Sequence, residues 1–410
     1  MERKTGIRTV VMIAVLLIVT ASMINTSVLI RPGNSSKFTQ VETDPTDGWP
    51  MYHHDLSHTS YSTSYTPFTN RTLWTHTTGG AVVSSPAVAN GLVYVGSYDY
   101  KLYALNAATG TIAWSYTTGA EVVSSPAVAN GLVYVGSDDK KTYALNAATG
   151  ALVWSYTTGG VVQSPPVVVG GIVYVGSYDE KVYALNSTTG ALVWNYTTNG
   201  LIDSSPCVAD SLVYVGSYDN NVYALDAATG TLLWKYTTGG HVHASPAAAG
   251  GLVYVGSGDG ETYALNATTG ALVWSYPTGS ISFSSPAVAY GVVYVGSYDG
   301  KVYALDAAAG KLLWSYATGS LMDSSPAVAD GIVYVGSGNA NIYALYANTG
   351  TLVWTYTTGS HVSSSPAVAG GVVYVGSSDD NVYAFVGDSG AGGGGGGPGR
   401  IWPNGISYCT

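Results

Sequence analysis

Short apolar runs alternate with small polar turns along most of the chain, at a fixed step. Val-Tyr-Val-Gly-Ser occurs eight times, first at Val93 and last at Val373. Tyr-Ala-Leu follows it seven times, and Tyr-Ala-Phe takes its place at Tyr383. Trp74, Trp114, Trp154, Trp194, Trp234, Trp274, Trp314 and Trp354 stand forty residues apart, as do the prolines from Pro86 to Pro366. Self-similarity at such a period marks a repeat architecture. No insertion or deletion breaks the register over about 310 residues.

One unit reads as four strands. In the first copy these are VVSSPAVA, GLVYVGS, KLYALN and TIAWSYTTG, between positions 82 and 119. Each is short and rich in Val, Tyr, Trp or Thr, and the later ones alternate their faces. Ala-Asn-Gly, Tyr-Asp-Tyr and Asn-Ala-Ala-Thr-Gly join them, which is turn chemistry with Gly available for positive φ. No repeat carries a helical period. Four-stranded antiparallel units at this spacing predict an all-β fold, a β-propeller.

The two ends set the blade number. The first three strands occur eight times, and so does the Trp strand, but out of phase. Its first copy, at 71–77, precedes every other strand, and none follows Phe385. Pairing that spare N-terminal strand with the incomplete last blade closes an eight-bladed ring and removes the edges an open array would leave. An open solenoid would need polar caps, and neither end supplies one. Residue size agrees with radial packing. Ser-Ser-Pro-Ala is small where strands crowd the axis, and large aromatics fill the wedge that widens outward. Of 34 Tyr, 23 sit at three repeating positions typified by Tyr94, Tyr103 and Tyr116.

Composition narrows the function classes. Only 9% of residues are charged, against about 25% in ordinary domains. With 14 Lys+Arg and 24 Asp+Glu the net charge is −10, so there is no basic stripe for nucleic acid. Cys207 and Cys409 are too few and too far apart for a disulfide framework or a Cys-rich zinc site. No H-E-x-x-H, phosphate loop, Ser-His-Asp triad or paired-carboxylate constellation stands out.

The N-terminus reads as a targeting segment. Arg3, Lys4 and Arg8 precede an uncharged stretch from Thr9 to Ile30 whose first part is strongly apolar. This predicts a signal peptide or a signal anchor over residues 1–30, with everything beyond exported. Membrane contact is then confined to residues 9–30. Residues 31–47 read as a linker, 48–70 as a lead-in, 71–386 as the propeller and 387–410 as a Gly-rich flexible tail.

Near-identical repeats permit an internal comparison: positions shared by every blade serve the fold, and positions that differ are free or used. Two variable rings lie just before each first strand. One contains Glu121, His241, Ile281 and His361. The other contains Gln163, Asp203, His243, Phe283 and Asp323. They are two residues apart and share a face, near one mouth of the central channel. The functional expectation is a pocket of Glu121, Gln163, Asp203, His241, His243, Phe283, Asp323 and His361 for a cation, a sugar or a peptide end; the alternative is drift at tolerant positions. The Asp series Asp99 to Asp379, broken by Asn339, reads as turn capping rather than a calcium ring. Tyr98, Tyr178, Tyr218 and Tyr298 read as exposed turn tips.

The run YALNAATGTIAW, Tyr103 to Trp114, and its copies resemble the docking motif of the pyrroloquinoline-quinone-like repeat family. GWPMYHHDLSHTSYS, Gly48 to Ser62, resembles the segment that precedes such propellers. The resemblance implies that the eight Trp dock neighbouring blades. It makes His53, His54 and His58, otherwise a candidate metal cluster, part of the lead-in. Its members include quinone-dependent dehydrogenases and a non-catalytic propeller of outer-membrane assembly. The enzymes carry adjacent cysteines and a carboxylate–Asn calcium site, which this sequence lacks, so neither the quinone with calcium nor another cofactor or metal is expected. The expected function is a non-enzymatic, cell-surface binding or scaffolding module for protein or glycan, with a quinoprotein dehydrogenase or an envelope assembly factor as alternatives.

Overall fold

The computed structural model describes residues 48–280 and 283–387. Residues 1–47, over which the targeting segment and linker are expected, Ile281 and Ser282, and residues 388–410 with Cys409 lie outside the described residues. The described chain forms eight four-stranded antiparallel blades, and one of them gains a fifth strand from Tyr61–Ser62. In the first blade the strands run, from the axis outward, Ala87–Ala89, Leu92–Gly96, Lys101–Asn106 and Ile112–Thr117.

Closure follows the sequence expectation. Arg71–Thr77 pairs antiparallel with Asn381–Val386, placing Trp74 opposite Ala384 and Thr75 opposite Tyr383. The blade that ends the chain therefore takes its outer strand from the beginning. The inner strand differs from the expectation. Only three residues per blade, such as Ala87–Ala89, have regular pairing. The preceding Ser-Ser-Pro stretch is held by other means: Ser84 Oγ donates to the Ser124 carbonyl at 3.2 Å, and Ser125 Oγ accepts from Ser85 N at 2.9 Å. Pro86 has no N–H to give a ladder, so serine hydroxyls stitch one blade to the next.

The Trp series docks the blades. Trp114 Nε1 donates to the Ala147 carbonyl of the following blade at 2.9 Å, and Tyr94 Oη donates to the same oxygen at 3.0 Å. Gly150 lies against the indole at φ 72°, and a Cβ there would sit 2.6 Å from Trp114 Cε3. For Trp354 the acceptor is not a carbonyl of the following blade's loop. Its place is taken by Pro67 of the lead-in, whose carbonyl accepts from Trp354 Nε1 and Tyr334 Oη, each at 3.1 Å.

The lead-in crosses one end of the channel. Its carbonyls at Trp49, Pro50, Leu56, Ser57, Thr59 and Ser60 accept from the N–H groups of Val88, Val128, Val208, Ala248, Val288 and Val328, the middle residues of six inner strands. Innermost strands would otherwise present these donors to the channel unpaired. Between Pro50 and Leu56 the chain dips inward, and the Tyr52 hydroxyl lies 3.1 Å from Ser285 Oγ and 3.0 Å from Ser325 Oγ. His58 is fully buried, its Nδ1 donating to the Pro246 carbonyl at 3.1 Å. Tyr52 and the buried His53 and His58 thus stopper the axis from one side.

Candidate functional site

The inner strands run away from the variable rings toward the lead-in, so the rings lie at the channel end opposite the stopper. Each blade contributes two positions there. One is the approach to its inner strand, at Gln163, Asp203, His243, Phe283 or Asp323. The other is the turn between its second and third strands, at Tyr98, Asp138, Tyr178, Tyr218 or Tyr298. The turn of one blade reaches the approach of the next, a spacing of 25 residues in the chain. Tyr178 Oη lies 3.5 Å from Asp203 Oδ2, and Tyr298 Oη donates to Asp323 Oδ1.

These contacts link into an arc. Asp138 accepts from Gln163 Nε2 at 3.1 Å, and Gln163 Oε1 accepts from Tyr178 Oη at 2.7 Å. Asp203 Oδ2 meets His243 Nε2 at 3.1 Å. His243 stacks on Phe283 with centroids 4.5 Å apart, and Phe283 meets Tyr298 edge to face at 5.1 Å. Asp323 Oδ2 then lies 3.6 Å from His361 Nε2. The sequence-nominated Gln163, Asp203, His243, Phe283, Asp323 and His361 are thus in one connected array. His241 is exposed, its Nδ1 donating to the Tyr218 carbonyl and its ring stacked on Tyr218 at 5.2 Å. Glu121 stands at the other end, its charge felt by Asp138 and Tyr98.

Electrostatics at the mouth favour neutral or cationic company. Burial pushes the Asp203 carboxyl up, against the lowering pull of His243 and of hydrogen bonds from Tyr218 and Tyr178. Its Oδ1 is buried without a hydrogen-bond partner. Burial also raises Asp138, opposed by the Gln163 amide and reinforced by Glu121.

The tyrosines needed correction. Tyr98 is exposed, but Tyr178, Tyr218 and Tyr298 are half-buried and fold into the mouth instead of standing as tips. Asp138 was missed altogether. The signal was present: the turn position varies from blade to blade as the approach position does, one blade out of step. The Asp99-type residues are turn caps as expected. Asp99 accepts from Gly79 N at 3.0 Å and Lys101 N at 3.2 Å, and from the Tyr103 hydroxyl. Among the described residues no group of three His, Cys, Asp or Glu is placed to hold a metal ion. His53 and His58 point their rings at backbone carbonyls instead.

Comparisons with known proteins agree with this architecture. A family model described as outer membrane protein assembly factor BamB matches residues 63–200, 143–246, 200–321 and 318–392. No curated protein matches the chain. Among solved structures, BamB from Moraxella catarrhalis superposes with a TM-score of 0.69 at 20% identity, covering 78% of this chain and 100% of its own. The computationally designed Ika8 protein gives 0.69 at 20%, covering 77% and 98%. A quinohemoprotein alcohol dehydrogenase from Pseudomonas putida gives 0.72 at 16%, covering 83% and 80%. At such identities the solved structures speak for the fold alone, while the matched segments run through every blade, and on them the chain belongs to the family of the outer membrane protein assembly factor BamB.

Proposed function

We propose that the chain is an exported, non-catalytic propeller that binds a protein or a glycan at the cell surface through the open channel mouth. The observation that carries this reading is the connected arc from Asp138 to His361. Drift at independent tolerant positions gives scattered side chains. Here the residues that depart from the repeat touch one another across seven blades. Pockets with aromatic walls and a few convergent polar groups are what ligand sites look like. The basic, then apolar, N-terminal segment and the envelope role in the family's description support export.

The dehydrogenase reading is the weaker one. Calcium takes six to eight oxygen ligands, whereas the two candidate carboxylates, Asp203 and Asp323, stand three blades apart and each already faces a histidine. Cys207 is fully buried and has no adjacent partner cysteine in the sequence. The donor set does not fit the quinone–calcium pair. Family membership favours a second reading, assembly of envelope proteins, in which the bound partner is itself a membrane protein.

The test is a screen of the exported chain on glycan and peptide arrays, beside Asp203→Asn and Phe283→Ala variants. Ligands bound by the parent and lost by both variants support the mouth as the site. Binding that both variants retain overturns it. Added quinone with Ca²⁺ is expected to give no protein-bound chromophore and no alcohol-dependent dye reduction, and either signal would restore the enzyme reading.

A further inference from the structure

The mouth has a chemical bias that narrows the ligand, and this step rests on the reading just given. Four carboxylates surround it: Glu121, Asp138, Asp203 and Asp323. No Lys or Arg occurs at any approach position or at the facing turn position in the eight blades. The only nitrogen bases in the arc are the imidazoles of His241, His243 and His361. We propose that the mouth recognises an organic cation, an ammonium or guanidinium group held between aromatic faces and the Asp203 carboxylate.

Three features of the geometry support it. First, the aromatic rings are contiguous. His241 stacks on Tyr218, Tyr218 lies 6.0 Å from His243, His243 stacks on Phe283, and Phe283 meets Tyr298. Aromatic faces attract cations through the ring quadrupole, most strongly where water is excluded. Second, Asp203 is only 6% exposed at its side chain and keeps Oδ1 unpartnered. A buried carboxylate with an idle oxygen is costly unless a donor or cation reaches it. Tyr178 and His243 both meet Oδ2, at 3.5 and 3.1 Å, and not Oδ1. Third, the far end is closed by Tyr52 at the serine hydroxyls, so a ligand enters from the mouth and meets the ring of carboxylates first. A cation is drawn in by that field. An anion is repelled. A neutral sugar finds the same rings but gains nothing from the charge.

The cation has two sources, a free small molecule or a basic side chain of a protein partner. The experiment separates them. Calorimetric titrations at low salt use tetramethylammonium, L-arginine amide and the peptide Gly-Lys-Gly-Arg-Gly. The matched neutral probes are tert-butanol, L-citrulline amide and the peptide with acetyl-lysine and citrulline. Neutral mono- and disaccharides form a third arm. The expected result is binding of at least one cationic probe, tenfold or more tighter than its neutral match and weakened at least fivefold by 0.5 M salt. Tighter binding of the peptide than of both small cations assigns the site to protein side chains; the reverse assigns it to free cations.

Asp203→Asn is expected to weaken the cation at least tenfold, and Phe283→Arg to abolish its binding by placing a tethered guanidinium in the mouth. Asp323→Asn serves as the second carboxylate variant should Asp203→Asn fail to fold, as judged by near-ultraviolet circular dichroism. Equal binding of neutral and cationic probes, or cation binding unchanged in the folded variants, overturns the proposal. Binding of sugars alone, lost in Phe283→Arg, overturns the cation while leaving the mouth a binding site. No binding in any arm, with array hits that ignore the mouth variants, sinks both.

Discussion

Acidification is expected to loosen this protein through the stopper at the closed end of the channel. His53 and His58 are 2% and 0% exposed. Burial, reinforced by the neighbouring His58, pushes His53 down from 6.5 to about 3, and burial pushes His58 down from 6.5 to about 4. The unfolded chain takes up a proton at each as pH falls through 6.5, while the folded chain takes up neither until far lower. Stability is therefore fully present above 6.5 and is lost as pH falls toward the folded values. The slope is about 1.4 kcal/mol per pH unit per histidine. Between 6.5 and 5 that amounts to about 2 kcal/mol each, or about 4 kcal/mol for the pair. The groups facing them act elsewhere. Burial raises Asp55, but hydrogen bonds from His54 and Thr59 outweigh it and hold the carboxyl below its usual value, so its loss comes at lower pH. The raised Asp138 and Asp203 carboxyls work in the opposite direction. Urea unfolding at pH 7 and pH 5 measures the sum. The difference between the parent and a His53→Gln/His58→Gln variant isolates the pair. The variant is expected to lose about 4 kcal/mol less on acidification. A variant that loses as much as the parent refutes the reasoning.

Three further outcomes are expected. Trp194→Phe removes the hydrogen bond to the Ala227 carbonyl at 3.0 Å, while Tyr174 Oη still donates to that oxygen at 2.9 Å, so thermal and urea unfolding should report a loss of about 0.5–1.5 kcal/mol; no change would deny the docking role. Tyr52→Phe strips a hydroxyl shared by Ser285 and Ser325 and should cost about 1–2 kcal/mol in the same assay, with the mouth's ligand binding intact. The Cys207 thiol is fully buried, and burial pushes its pKa well up. In a Cys409→Ser background it should resist a thiol reagent in buffer and react at once in denaturant; reaction of the folded protein would contradict its placement.

How much of this was legible in the sequence depends on what the repeat encodes. Blade number, strand order and ring closure were all readable, because each is fixed by spacing that recurs eight times and by the phase of one strand at 71–77. The eight Trp were readable as docking residues because Gly stands four residues before each of the later ones. Non-repeating contacts were not readable. Nothing in Thr66-Pro67 advertises that its carbonyl stands in for the missing Ala of the last blade. The lead-in's path across six inner strands rests on backbone carbonyls, which carry no side-chain signal. The variable rings were found, but their partners in the turns were half missed. A 25-residue offset between Tyr178 and Asp203 is invisible until the blades are stacked, since it pairs one blade's turn with the next blade's strand.

The two ends of the channel answer different physical demands, and this is why departure from the repeat is tolerated at one and filled in at the other. An eightfold ring of identical blades would leave inner-strand N–H groups unpaired along the axis. At one end the lead-in satisfies them with its own backbone, so the blades there stay alike: Ala-Val-Ala recurs at five of eight inner strands, and the remaining three differ only by Val, Cys or Ala. At the other end no chain segment among the described residues covers the ring, and the side chains at the approach and turn positions satisfy one another across blades. Those side chains need not be the same in each blade, only complementary in pairs, as Tyr298 is to Asp323 and Gln163 to Asp138. Symmetry is therefore enforced where backbone does the pairing and relaxed where side chains do. A ligand adapted to one unequal set of rings and carboxylates has a place to form only at the relaxed end.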